Sequence, residues 1–119
     1  MASQVLESLA SSPYHLGVLA DPDAVGREGI PGEGPFMTVY LAYGSGVIRE
    51  AWFETYGCPI SIGCGSFVTK WVEGKTTDQA LKLELDDLIL ILGGLPLGKE
   101  HCASLAVNSL RSAIANLKA

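Results

Sequence analysis

The sequence predicts an α+β fold: a small antiparallel β-sheet, built on a hairpin over residues 36–56 and covered on one face by helices. Three observations carry this expectation. Residues 36–43 and 47–56 are rich in β-branched and aromatic side chains, and Gly44-Ser45-Gly46 between them supplies the positive φ angles of a tight turn. Beyond Gly57 the apolar period becomes helical, with Ile60, Cys64, Phe67, Val68 and Trp71 on one stripe. The final stretch, 100–118, repeats that period with Cys102, Leu105, Ala106, Ser109, Leu110, Ala113 and Leu117.

Taken in order, residues 3–11 set Val5, Leu6, Leu9 and Ala10 at helical spacing, and Ser11-Ser12-Pro13 ends the pattern, so a short helix is expected first. Residues 14–35 hold Asp21-Pro22-Asp23, Gly26, Gly29 and Pro31-Gly32-Glu33-Gly34-Pro35 without either period. They read as an irregular loop, of a length that is usually functional or mobile. In the second strand Trp52, Glu54 and Tyr56 share one parity and Ala51, Phe53 and Thr55 the other, which predicts a mixed and an apolar face. No third long strand is expected. The helix after Gly57 stops at Glu73-Gly74-Lys75, and Thr76 with Gln79 forms a capping box for a short helix through Leu81. Asp86-Asp87 then open a helix over Leu88, Ile89 and Leu92 that Gly93-Gly94 closes, and residues 95–99 connect to the last helix. At 119 residues, the whole of 1–119 is read as one domain.

Composition narrows the function classes. Hydrophobic residues make up 48% of the chain against 18% charged, enough apolar surface to offset the entropy of ordering it. Eight Lys+Arg against 13 Asp+Glu leave a net charge of -5, which neutralises no phosphate backbone, so no nucleic acid partner is expected. The densest apolar run, 88–92, falls far short of the roughly 20 residues a spanning helix needs, so no membrane partner is expected either. No basic residue precedes Arg27 and no apolar signal core is visible, which predicts a reducing, cytoplasmic location.

Three cysteines, Cys58, Cys64 and Cys102, are spaced unlike a disulfide framework or a CxxC zinc ribbon, which leaves thiolate chemistry. Cys58 and Cys102 each stand at a helix start, where unpaired N–H groups and the helix dipole lower a thiol's pKa. Both are therefore candidate thiolates, the alternative being that each is a small buried hydrophobe. Cys64, six residues after Cys58, falls on the other side of its helix and on the apolar stripe, as a core residue does. His101 and Cys102 are adjacent, so on a helix their side chains should diverge too far for a nucleophile–base pair while both can still reach one metal ion. His15 reads as a solvated loop histidine, and Asp86-Asp87 as helix N-terminal charges.

Three stretches carry a resemblance: Trp52-Phe53-Glu54-Thr55-Tyr56-Gly57-Cys58; Thr69-Lys70-Trp71-Val72-Glu73-Gly74-Lys75-Thr76; and Lys99-Glu100-His101-Cys102 followed by Ala113-Ile114-Ala115. Together they resemble the iron-sulfur cluster scaffold family of NifU N-terminal domains and IscU. The similarity runs from residue 36 to the C-terminus, and Asp21-Pro22 and Val25-Gly26 extend it into the loop. The resemblance implies a scaffold, a carrier more than an enzyme. On it a 2Fe-2S cluster is assembled from iron and from sulfur delivered by a cysteine desulfurase, then passed to apo-protein acceptors.

Residue by residue, the resemblance implies that Cys58 matches the family's second cysteine, Cys102 its third and His101 its histidine. The first cysteine is missing: aligning on Met37 sets Glu33 at its position and Pro35 at that of the family's aspartate. The implied cofactor-binding residues are Cys58, His101 and Cys102, with Glu33 as a further metal ligand. Two cysteines, a histidine and a carboxylate also make a tetrahedral set for zinc. The leading expectation is thus a scaffold-like protein holding or relaying iron and sulfur through Cys58 and Cys102. The alternative is a module that kept the fold and lost the cluster, with a structural zinc or no metal. A thiol transferase is a third reading, and needs a base near one of the thiols. In the family's chaperone-binding segment, Leu95-Pro96-Leu97-Gly98-Lys99 keeps the leucine, proline and lysine but lacks the second proline, which weighs against an Hsp70-type chaperone partner.

Overall fold

The computed structural model describes residues 4–95 and 98–118. Its elements run α1 (Gln4–Ser11), β1 (Ala24–Glu28), β2 (Phe36–Gly44), β3 (Val47–Tyr56), α2 (Pro59–Val72), α3 (Thr77–Ala80), α4 (Leu85–Ile91) and α5 (Glu100–Lys118). The three strands form one antiparallel sheet in the order β1-β2-β3. As expected, β2 and β3 make a hairpin, and the turn residues Ser45 and Gly46 take φ of 55° and 82°. Two positive φ angles in a two-residue loop match the right-handed twist of the strands it joins.

Parity then sorts the sheet. Val39 pairs with Phe53 and Leu41 with Ala51, all fully buried on the face that the helices cover. Burying one such large side chain contributes about 1.5–3 kcal/mol. On the opposite face Tyr40 pairs with Trp52 and Thr38 with Glu54. Long side chains shield that face: Arg27 Nε donates to Thr38 Oγ1 at 2.9 Å and the Tyr40 hydroxyl donates to Glu54.

The third strand corrects the sequence reading, which treated all of 14–35 as irregular. Residues 24–28 pair with β2 from Ala24↔Leu41 to Glu28↔Met37. Gly26 hid this strand, because glycine weakens a strand pattern. Its role is spatial: a Cβ there would overlap backbone atoms of Ser109 and Ala113, so only glycine lets α5 lie directly on β1. Small residues on the facing helix, Ala106, Ser109 and Ala113, are all fully buried.

His15 also departs from the expectation of a solvated side chain. It is half-buried, stacked on Trp52 at 4.3 Å between centroids and on Tyr14 at 4.0 Å. Its Nδ1 lies 2.9 Å from the Ala51 carbonyl oxygen and 3.0 Å from Glu73 Oε2. Phe53 N–H donates to the His15 carbonyl and Gly17 N–H to the Phe53 carbonyl, so residues 15–17 run parallel along β3 and cover its outer edge.

The helices follow the sequence pattern with one widening. Thr76 and Gln79 close the capping box of α3, and Glu84 with Asp87 does the same for α4. On α2, Ser61, Ser66 and Thr69 are buried beside the expected apolar stripe, Ser66 where α1 packs and Ser61 beside Cys102 of α5. Ser66 Oγ donates to the Leu9 carbonyl and Thr69 Oγ1 to that of Gly65, which satisfies two of the three hydroxyls. The chaperone-segment residues Pro96 and Leu97 lie outside the described residues.

Candidate functional site

Three chain segments meet at one end of the sheet. The pair Phe36↔Tyr56 sets the 29–35 turn beside the end of β3, from which Gly57 leads into Cys58, the residue before α2. Along β1, α5 runs with Asn116 near Val25 and Asn108 near Glu28, so its first turn points toward the same end. Cys58 Sγ and Cys102 Sγ, 44 residues apart in sequence, stand 3.9 Å from each other. His101 Nε2 lies 3.6 Å from Cys102 Sγ. The adjacent side chains thus converge, against the divergence expected of neighbours on a helix, because His101 sits in the exposed first turn and folds over the thiol.

These two separations suit tetrahedral coordination. With metal–sulfur bonds of about 2.3 Å and metal–nitrogen bonds of about 2.0–2.1 Å, two thiolates lie roughly 3.8 Å apart and a thiolate and an imidazole roughly 3.6 Å. Glu33 is not drawn in. It is exposed on the turn, with its N–H donating to the Ile30 carbonyl; among the described residues no three His, Cys, Asp or Glu side chains form a metal-holding group, so Cys58, Cys102 and His101 meet only as the two pairs above. Beside it a cleft of about 270 Å³ is lined by Gly32, Gly34, Phe36 and Tyr56.

The two thiols are not equivalent. Burial pushes the Cys58 thiol up, but the N–H groups of Ser61 and Ile60, the Cys102 side chain and the Lys99 charge outweigh it, so the net shift is downward. Those N–H groups face the sulfur without closing a cap hydrogen bond of ordinary geometry. For Cys102 burial dominates and the charge of Cys58 adds to it, outweighing the nearby Ser61 hydroxyl and Lys99, so the net shift is upward. That corrects the expectation that both helix starts would acidify their thiols: Cys102 is fully buried, whereas Cys58 is half-buried. Cys64 is the core residue expected, its thiol pushed up to about 12 by burial and then by the other two sulfurs.

Sequence reasoning overlooked Ser61 and gave Lys99 no role at the thiols. Ser61 Oγ is buried and faces the Cys102 thiol, without closing a hydrogen bond of ordinary geometry among the described residues. Its signal was its place in the first turn of α2, three residues after Cys58. Lys99 immediately precedes α5 and bears on both thiols.

The model of the NifU-like N terminal domain family matches residues 2–119. The chain belongs to this family. It is similar to the iron-sulfur cluster assembly scaffold protein IscU 1 of Archaeoglobus fulgidus, with 40% identity over 103 residues covering 87% of this chain and 67% of that protein. The scaffold protein IscU of Escherichia coli is 38% identical over 94 residues, 78% of this chain and 73% of that one. Among solved structures, the N-terminal part of a nitrogen-fixing NifU-like protein from Brucella abortus superposes with a TM-score of 0.75. It is 22% identical, covers 98% of this chain and 93% of its own, and supports the fold.

Proposed function

We propose that this protein is an iron-sulfur cluster assembly scaffold that holds or relays iron and sulfur through Cys58 and Cys102. The observation that carries the reading is the 3.9 Å approach of these two sulfurs from separate helices. They sit at the positions that match the family's second and third cysteines. In this reading the cargo is a transient 2Fe-2S cluster, His101 is a third donor, and Glu33 or a group brought by a partner completes the set. Zinc is the simpler occupant of the same donors. The partners are a cysteine desulfurase, which supplies sulfur, and apo-protein acceptors.

The reading calls for a reducing compartment such as the cytoplasm, because thiols that accept sulfur must stay reduced. Among the described residues no helix is long and apolar enough to cross a membrane.

Anaerobic incubation with ferrous iron and inorganic sulfide, followed by visible absorption and metal analysis, tests the reading. Coloured protein holding iron and sulfide in equal amounts is expected. Colourless protein that takes up zinc alone would instead establish the degenerate metal-binding module.

A further inference from the structure

The fold brings together two thiols of unequal access and no third thiol that can compete with them. Cys102 is fully buried, Cys58 is half-buried at the rim, and Cys64 is sealed in the core. Where the family has its first cysteine, Glu33 offers a carboxylate, which takes no part in thiol–disulfide exchange. A sulfur donor too large to enter the core can therefore reach only Cys58. The atom that Cys102 Sγ faces at 3.9 Å is Cys58 Sγ itself. Once Cys58 carries an extra sulfur, that atom is the inner sulfur of a persulfide. Attack at the inner sulfur expels hydrosulfide, whereas attack at the outer one only moves the extra sulfur.

We propose that the Cys58–Cys102 pair converts delivered persulfide sulfur into free sulfide without an outside electron donor for the first round. The inference rests on the scaffold reading, for which it names the source of the sulfide. In the first step the Cys58 sulfur attacks the terminal sulfur of a donor persulfide, the donor's own S–S bond breaks, and the donor leaves as a thiolate. In the second step Cys102 Sγ attacks Cys58 Sγ. The Cys58–Cys102 bond forms, the bond to the terminal sulfur breaks, and its electron pair departs with hydrosulfide.

The Cys102 sulfur is oxidised and the terminal sulfur is reduced by the same amount. The Cys102 proton passes to the departing sulfide or to His101, whose Nε2 lies 3.6 Å away. A dithiol reductant must then open the disulfide before a second round, so without one each chain turns over once.

The test uses the full chain, reduced, freed of reductant and mixed anaerobically with glutathione persulfide; chain blocked with iodoacetamide sets the background. Released sulfide is trapped and counted, and the protein is mapped by mass spectrometry. About one sulfide per chain is expected, together with a Cys58–Cys102 disulfide. Cys102→Ala should keep the extra sulfur on Cys58 and release sulfide more slowly, on the order of tenfold or more. Cys102→Ser repeats that arm with a side chain closer in size, and thermal unfolding verifies that both variants fold. Cys58→Ala should neither retain nor release the sulfur.

Equal release from the wild type and both Cys102 variants would overturn the proposal. So would a stable persulfide on either cysteine of the wild type with no disulfide formed. Reconstitution with inorganic sulfide bypasses these steps, so a negative result here leaves the scaffold reading standing. Failed reconstitution with intact sulfide release would count against the scaffold reading alone.

Discussion

The two ends of α2, about 20 Å apart at 1.5 Å per residue, gather similar ingredients and treat them differently. Just beyond the C-terminal end, Glu73 accepts hydrogen bonds from the Tyr14 hydroxyl and the Ala51 N–H and lies against His15 Nδ1. His15 in turn is stacked between two rings. This cluster fastens the segment after α1 to the sheet. At the N-terminal end Cys58 closes no cap, Ser61 Oγ makes no hydrogen bond of ordinary geometry among the described residues, and two sulfurs face each other without a disulfide. A histidine, an acidic group and neighbouring polar atoms do not by themselves mark a reactive site. What separates the ends is whether each group's bonding capacity is already used.

The largest effect should come from the thiol end. Cys58→Ala or Cys102→Ala is expected to abolish cluster retention after reconstitution while leaving the fold intact, as measured by visible absorption beside far-ultraviolet circular dichroism. Removing Glu73 should do the reverse. Glu73→Ala strands the Tyr14 hydroxyl and the Ala51 N–H and is expected to cost about 2–3 kcal/mol in urea unfolding, with cluster yield per folded chain unchanged. Should that variant lose cluster at full stability, the two ends would be coupled and the contrast would fail.

A gain is expected from restoring the family's pattern on the 29–35 turn. A carboxylate is a hard ligand and an iron-sulfur cluster favours thiolate, while Pro35 removes an N–H and fixes φ. The double change Glu33→Cys with Pro35→Asp should raise retained 2Fe-2S cluster several-fold, read by iron and sulfide analysis. The exchange leaves Gly32 and Gly34, at φ of 90° and 112°, untouched.

The smallest effect concerns the third thiol. Cys64→Ala should cost on the order of 1 kcal/mol and leave cluster yield unchanged. It also carries a pH signature. The folded chain holds the Cys64 proton up to about 12, against an ordinary 9.0, so the unfolded chain releases it first as pH rises. The associated stability is complete below 9.0 and lost on the way to about 12, at roughly 1.4 kcal/mol per pH unit. Urea unfolding across that window should show a steeper decline for the wild type than for Cys64→Ala.

The sequence by itself determined the elements whose signals are local. The hairpin followed from strand composition and a glycine-flanked turn, the capped α3 from Thr76 with Gln79, and the core role of Cys64 from its stripe. Cys58 and Cys102 were legible as candidates from their places at helix starts and from the family resemblance. Tertiary structure decided what depends on approach between distant segments. It made a strand of residues 24–28, because Gly26 reads as a loop residue until α5 is laid against it. It turned His15 inward, since its partners Trp52, Ala51 and Glu73 are more than 30 positions away in sequence. It also set the two thiols apart in acidity: a helix start is visible in sequence, but the burial that overrides it at Cys102 comes from packing. Propensity and spacing act over a few residues, whereas desolvation and shape are set by whatever the rest of the chain brings alongside.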